Sequence, residues 1–212
     1  MSRRALASTL LAVAALSLML VALSAQLTDG FTRWTFEALR RDAADASHLL
    51  APAVPLRTAH GETTTPWPNN AGTVYLVDFI YTQCPTICQA LGSEYTRLQH
   101  QLRERFGAHS PVRLVSVAFD REHDTPIELQ HYAQRHRADD AQWLIGTPAS
   151  AAAADTLLQA LGVVAVPDGL GGFVHNGAIH LIDSQGTVRG IYDLDQWPQA
   201  LERALQLGGA PA

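Results

Sequence analysis

An α/β domain with a mixed central sheet, behind one N-terminal transmembrane helix, is the fold that this sequence predicts. Two observations lead to this prediction. From about residue 73 onwards, short segments rich in strand-forming apolar residues alternate with longer segments of helical periodicity. Before them, an uncharged apolar run extends from Ala5 to about Leu27, directly after Arg3 and Arg4.

The apolar run is long enough to cross a membrane. A helix of about 20 apolar residues spans a bilayer core, whereas the apolar region of a cleaved signal peptide has about 7–15 residues. Ala22-Leu23-Ser24 is a small-residue cleavage site, so a signal peptide is the alternative, but the length favours an uncleaved anchor over residues 1–28. Positive charges before the run keep the N-terminus in the cytoplasm. We therefore expect a single-pass protein of the inner (cytoplasmic) membrane, with its globular domain in the periplasm.

The rest of the chain divides into a short stalk and one domain. Residues 29–50 have helical spacing of Phe31, Trp34 and Leu39, which predicts a juxtamembrane helix or stalk, and residues 51–212 form the domain. The net charge is −5 with both signs interspersed. Because no basic run or face occurs, we expect no nucleic-acid partner.

The predicted elements of the domain follow the order β-α-β-α-β-α-β-β-α, after a short strand at 54–58. They are strands at 73–81, 112–120 and 142–146, helices at 86–106, 125–136, 149–162 and 196–207, and a strand pair within 174–193. Thr125 and Pro126 mark a helix start, and Gly162 marks a helix end. Strands that alternate with helices imply a parallel sheet, and the strand pair adds an antiparallel edge. This order is that of a thioredoxin-like domain.

The chain has two cysteines, Cys84 and Cys88, in the stretch DFIYTQCPTICQAL between the first long strand and its helix. The pattern places Cys84 near the helix cap and Cys88 one turn later on the same face. Residues four apart in a helix are close enough for a disulfide. The helix N-terminus also favours a thiolate, so we expect Cys84 to have a lowered pKa.

Four interpretations of the cysteine pair differ in how well they fit. A purely structural disulfide across so short a loop would stabilise the fold little. Structural zinc usually needs four ligands. A reversible redox pair and a soft-metal site remain, and two thiolates with an imidazole would suit copper in both oxidation states.

Nine histidines could supply the imidazole. His175 is the best placed, because it follows a glycine-rich loop and begins a predicted strand beside the cysteine helix, with His180 on the opposite face of that strand. His123 follows a strand in a polar loop and is a weaker candidate. Four histidines on polar helix faces or in loops are expected to be solvated: His100, His109, His131 and His136. His48 lies in the stalk and His60 in a turn.

Three blocks in the same order resemble the Sco/SenC family of copper chaperones: DFIYTQCPTIC, VSVAFDREHDTP and VHNGAIHLIDSQGTVRGIY. The resemblance covers about residues 52–207 and implies a thioredoxin-like copper protein. Cys84 and Cys88 match the family's metal-binding and redox cysteines. His175 matches its histidine ligand, six residues before Leu181 in the pattern H-x-x-x-x-x-L-I-D.

The resemblance also has limits. Asp120 and Asp124 match acidic positions near the family's site, although helix capping and solvation would equally explain them. Gln89 stands where the family often has proline. The loop before His175 is shorter than is usual in the family, so we expect partner recognition to differ from that of other members. Gly177 takes the place of the cis-proline of ordinary thioredoxins, which disfavours a general dithiol reductase.

The resemblance implies a membrane-anchored metallochaperone that binds copper, Cu(I) or Cu(II), through Cys84, Cys88 and His175. It would deliver copper to an acceptor such as the copper-site subunit of a cytochrome c oxidase. The alternative is an enzyme, a thiol–disulfide oxidoreductase that keeps oxidase cysteines reduced, with Cys84 attacking and Cys88 resolving. A third interpretation is a non-catalytic assembly scaffold.

Overall fold

The chain folds into two units, each described by itself. The computed structural model describes residues 3–31, 35–69, 72–84, 87–107, 109–169 and 171–209. The division falls between Met1–Asp42 and Ala43–Ala212. The predicted boundaries at residues 28 and 50 stay a prediction.

The N-terminal unit contains a helix, α1 (Arg3–Leu27), that is long and apolar enough to cross a membrane. Its segment Leu6–Leu27 has 22 residues and a mean hydropathy of 2.4. This helix fits a single-pass membrane anchor, as the sequence predicts. A second helix, α2 (Phe36–Asp45), lies within the predicted stalk, whose Trp34 falls outside the described residues.

The domain is built on a seven-stranded mixed sheet with the order β2-β1-β5-β4-β3-β8-β9. Its strands are β1 (Leu56–Thr58), β2 (Thr63–Thr64), β3 (Val74–Ile80), β4 (Val112–Ala118), β5 (Trp143–Pro148), β8 (Ile179–Ile182) and β9 (Val188–Tyr192). Strands β3, β4 and β5 are parallel, while β8 pairs antiparallel with β3 on its other side. All seven residues of β3 are buried, which explains its nearly continuous apolar sequence.

Four helices connect and cover these strands. They are α3 (Ile87–Phe106), α4 (Pro126–His136), α5 (Ala151–Leu161) and α6 (Trp197–Leu207). The predicted caps are confirmed: the Thr125 hydroxyl accepts from the N–H of Glu128, and Gly162 ends α5 with a left-handed φ of 61°. Helix α5 begins two residues later than predicted, because Ser150 is its cap.

The segment around His175 differs from the prediction. His175 does not begin the strand that carries His180; it ends a separate strand, β7 (Phe173–His175), which pairs with β6 (Ala165–Pro167) in a two-stranded sheet. The Asn176 side chain explains the break. It accepts from the N–H of Val164 at 2.7 Å and donates to the carbonyl of Gly162 at 3.0 Å. These bonds tie the chain to the end of α5 and interrupt the strand.

The face of the sheet under α3 holds a buried carboxyl group, that of Asp78. Its register partner on β4 is Ser116, whose hydroxyl accepts from the indole N–H of Trp143 at 2.9 Å. That hydroxyl approaches the Asp78 carboxyl without reaching hydrogen-bond geometry. Burial raises the pKa of Asp78 to about 7, and the Ser116 hydroxyl opposes this rise only in part.

A prediction concerns pH and stability. An unfolded chain gives an aspartate a pKa of about 3.9, so the folded protein, with a pKa of about 7, holds the Asp78 proton more tightly. Stability from this group is therefore present below about pH 4 and is lost as the pH rises to 7. We expect Asp78→Asn to stabilise the protein at pH 8 by on the order of a few kcal/mol, with a smaller gain at pH 4.

Urea unfolding of both proteins at pH 4, 6 and 8 measures this effect. The exposed Asp155 on α5 provides the control, since Asp155→Asn should leave the pH dependence unchanged. The same pH slope in Asp78→Asn and the native protein would show that Asp78 does not cause it.

Helix α3 packs closely against α4 at Gly92. A Cβ atom at this position would lie 2.5 Å from Nε2 of His136, whose ring packs on Tyr132 and Trp143. The Thr96 hydroxyl lies 2.8 Å from the carbonyl of Gly92 and 3.0 Å from that of His136. His136 is therefore a core residue, and the prediction that it is solvated is wrong, because the absent side chain at Gly92 makes room for it.

A second prediction tests this packing. We expect Gly92→Ala to destabilise the protein by about 1–3 kcal/mol through overpacking, although alanine is the better helix former. Denaturant unfolding measures the change. In a His136→Ala background the clash is relieved, so the loss should vanish there; an equal loss in both backgrounds would contradict this explanation.

Candidate metal centre

Cys84 lies in a turn directly after β3, formed by residues 81–84 and called the cysteine turn below. Its N–H donates to the carbonyl of Tyr81 at 3.1 Å, and only 2% of the residue is exposed. Cys88 is the second residue of α3 as described, but its side chain lies outside the described residues, as do the two residues before the helix. The position of Cys84 at the helix cap therefore stays a prediction.

His175 lies half-buried at the end of β7, beside two aromatic rings. Its ring centroid is 6.1 Å from that of Tyr81 and 5.3 Å from that of Phe119. Burial lowers the pKa of His175. A neutral imidazole is thereby favoured, and this is the form that can bind a metal.

Tyr81 connects the cysteine turn to the strand of His175. Its hydroxyl lies 3.5 Å from the carbonyl oxygen and 3.4 Å from the N–H of Phe173, both long for hydrogen bonds. The rings of Tyr81 and Phe173 meet edge to face with centroids 5.3 Å apart. One residue therefore contacts both Cys84, through the backbone, and the strand that carries His175.

The loop after β4 supplies the acidic residues. Asp124 accepts hydrogen bonds from Thr82, in the cysteine turn, and from the N–H of Asp120. Asp120 in turn pairs with Nδ1 of His123 at 2.7 Å and raises the pKa of that imidazole. Burial raises the pKa of Asp124 to about 6. Asp124 thus bonds directly to the cysteine turn, which capping alone would not explain.

The other histidines lie in different surroundings. His180 is fully buried on β8, with its ring edge-on to Phe79 at 5.4 Å between centroids. This is the environment of a core residue. His100, His109 and His131 are exposed, as predicted.

The donor set present suits a soft metal. Among the described side chains, which do not include that of Cys88, no three cysteine, histidine or acidic groups converge on a metal site. The structure brings the strand of His175 and the turn of Cys84 together through Tyr81, and a thiol with a neutral imidazole is a donor set that copper favours.

Sequence reasoning missed the aromatic cluster of Tyr81, Phe119 and Phe173. Phe119 and Phe173 pack at 5.4 Å, and Tyr81 and Phe119 at 5.7 Å, between ring centroids. The available signal was positional, because Tyr81 and Phe119 each stand directly after a buried parallel strand. Side chains at such positions share one edge of the sheet.

Comparison with known proteins agrees with this architecture. A curated relative, the SCO1 protein homolog of Bacillus subtilis, is 30% identical over 119 residues, which are 55% of this chain. The chain spans less than two thirds of the length of the curated relatives it matches, 60% in this case.

Two solved structures share the fold. BsSco, described as a member of the Sco family of cytochrome c oxidase assembly proteins with a disulfide switch, aligns with a TM-score of 0.65 at 20% identity, over 77% of this chain and 95% of its own. ScoI of Bradyrhizobium japonicum with copper bound aligns with a TM-score of 0.60 at 20% identity, over 74% and 99%. These likenesses confirm the predicted thioredoxin-like fold.

The family assignment has a wider basis than any single relative. The SCO1/SenC family model matches residues 53–207, nearly all of the domain and well over half of the chain. That range includes both cysteines, the loop of Asp120 and Asp124, and His175. The chain belongs to the SCO1/SenC family.

Proposed function

We propose that this protein is a copper chaperone that binds copper through Cys84, Cys88 and His175. The observation that carries the proposal is the contact of Tyr81 with both the cysteine turn and the strand of His175. The buried thiol and the neutral imidazole fit the preferences of copper. A family member from Bradyrhizobium japonicum is known with copper bound, which supports the same cargo here.

Copper is the cargo of this function, and redox state would control its release. Thiols bind metal as thiolates, so loading requires both cysteines reduced and releases protons. A disulfide of a partner protein can act as the oxidant: it takes two electrons from the Cys84 and Cys88 thiolates by thiol–disulfide exchange, takes up two protons from solvent to become two thiols, and leaves a Cys84–Cys88 disulfide that no longer supplies sulfur ligands. The protein then has only the imidazole for copper, and the metal passes to an acceptor.

The membrane helix and the relatives support a proposal for the compartment and the acceptor. Arg3 and Arg4 at the start of α1 favour a cytoplasmic N-terminus, which supports a periplasmic domain on an inner-membrane protein. BsSco is described as belonging to a family of cytochrome c oxidase assembly proteins. We propose the copper-site subunit of such an oxidase as the acceptor.

A second candidate function is thiol–disulfide exchange, which the disulfide switch described for BsSco favours. Cys84 as thiolate would attack a disulfide of the partner, and the mixed disulfide would form as one partner thiol leaves. Attack by Cys88 would then release the second partner thiol and leave Cys84 and Cys88 oxidised. This step reduces the partner by two electrons and does not need His175.

A third prediction tests the histidine ligand. We expect His175→Ala to weaken Cu(II) binding of the reduced protein at least tenfold, since an imidazole ligand is lost while the thiols remain. The exposed His131 on α4 is the matched control, and His131→Ala should bind as the native protein does. Competition with a chelator of known affinity measures the difference.

His180→Ala adds a second comparison, scored on folded protein because His180 lies in the core. Losses of the same size in His175→Ala and His180→Ala would contradict the ligand assignment.

A fourth prediction separates the two functions. If copper delivery is the role, His175→Ala should abolish oxidase assembly in cells while reduction of a model disulfide by Cys84 and Cys88 persists. Oxidase activity of membranes and a disulfide-reduction assay provide the two measurements. Normal assembly in His175→Ala, together with loss of assembly in Cys84→Ser, would instead support the oxidoreductase.

A further inference from the structure

The carboxylate of Asp124 is completely buried between the two loops that follow β3 and β4, and the copper function above assigns it no role. Oδ1 accepts two hydrogen bonds from Thr82, one from the backbone N–H and one from the hydroxyl, each 2.7 Å long. Oδ2 accepts from the N–H of Asp120 at 2.9 Å. Three donors thus converge on one side chain.

These bonds fix the backbone that leads to Cys84. Thr82 is two residues before Cys84 in the same turn, and the N–H of Cys84 donates to the carbonyl of Tyr81. The N–H groups of Thr82 and Cys84 therefore each have a defined partner, one in the neighbouring loop and one within the turn.

Asp124 is itself held by rigid structure. Its N–H donates to the carbonyl of Asp120 at 2.7 Å, and the next residue, Thr125, caps α4 before Pro126. At the other end of the loop, the N–H of Phe119 donates to the carbonyl of Ile80 at 3.0 Å. The cysteine turn is thus attached to a helix start and a strand end.

A carboxylate is the side chain that suits this position. When ionised it only accepts hydrogen bonds, so it satisfies all three donors at once, and bonds to a charged acceptor are stronger than neutral ones. An asparagine could accept from Thr82 through its oxygen, but its amide group would face the N–H of Asp120, donor against donor. The hydrogen-bond donors around this position therefore favour aspartate over asparagine.

We propose that Asp124 is a positioning residue for Cys84: through Thr82 it sets the geometry in which the thiol binds copper or attacks a disulfide. This inference rests on the proposed function for its copper readout. It differs from a general stabilising role because the effect passes through the two bonds to Thr82. Thr82→Ser retains both donors, whereas Thr82→Val retains only the N–H.

The test uses the full chain in detergent, reduced, with copper titrated against a competing chelator. We expect Asp124→Asn and Thr82→Val to weaken copper binding about tenfold or more, the usual effect of losing a group that orients a ligand. Thr82→Ser should bind as the native protein does. The control Glu122→Gln, in the same loop but exposed, should also be unchanged.

A double variant shows whether the two residues act together. The combined loss in Asp124→Asn/Thr82→Val should be clearly smaller than the product of the single losses. Native affinity in Asp124→Asn, or fully multiplicative losses, would overturn the proposal. So would an equal loss in Thr82→Ser and Thr82→Val.

A thiol measurement separates this proposal from the copper function. In a Cys88→Ser background, the pH profile of Cys84 alkylation should shift in Asp124→Asn and Thr82→Val, and stay unshifted in Glu122→Gln and Thr82→Ser. If the native chain binds no copper, the copper function fails, and the alkylation profile alone then shows whether Asp124 positions Cys84. Unshifted profiles in both Asp124→Asn and Thr82→Val would then overturn the positioning role.

Discussion

The parallel pairing of β3 and β4 is the constraint on which the candidate site depends. The two strands run in register from Val74 opposite Val112 to Ile80 opposite Ala118, so they end side by side. Parallel strands direct their following loops to the same edge of a sheet, and here one loop carries Cys84 and the other carries Asp124. The bonds between Asp124 and Thr82, and the packing of Tyr81 on Phe119, are possible only because both strands end together.

Antiparallel pairing on the other side of β3 explains why a third group comes from so far along the sequence. Strand β8 runs opposite to β3, with Val77 beside His180. The segment that enters β8 therefore arrives at the edge where β3 ends. The chain crosses from β5 past β4 and β3 before it enters β8, and His175 lies four residues before Ile179. The crossover and the direction of β8 together bring a residue about ninety positions away to the edge where β3 ends.

The sequence predicted the elements whose signals are local. Strands β3 and β4, the Thr125 cap and the Gly162 end all follow from a few neighbouring residues. The separate β6–β7 sheet was missed because the strand break depends on the Asn176 side chain, which bonds to a segment more than ten residues away. His136 was misplaced because its burial depends on Gly92, on another helix. Family resemblance predicted Cys84, Cys88 and His175 as a set, whereas the bonds of Asp124 to Thr82 could be seen only in three dimensions.

The separation of β6–β7 from the main sheet has a consequence for how firmly His175 is held. Because His175 belongs to this two-stranded arm, a shift of the arm breaks no hydrogen bond of the seven-stranded sheet. The contacts that join this arm to the cysteine turn through Tyr81 are ring packing and long hydrogen bonds. Short hydrogen bonds hold the turn of Cys84, while weaker contacts hold the strand of His175, so the fold fixes one side of the candidate site more firmly than the other.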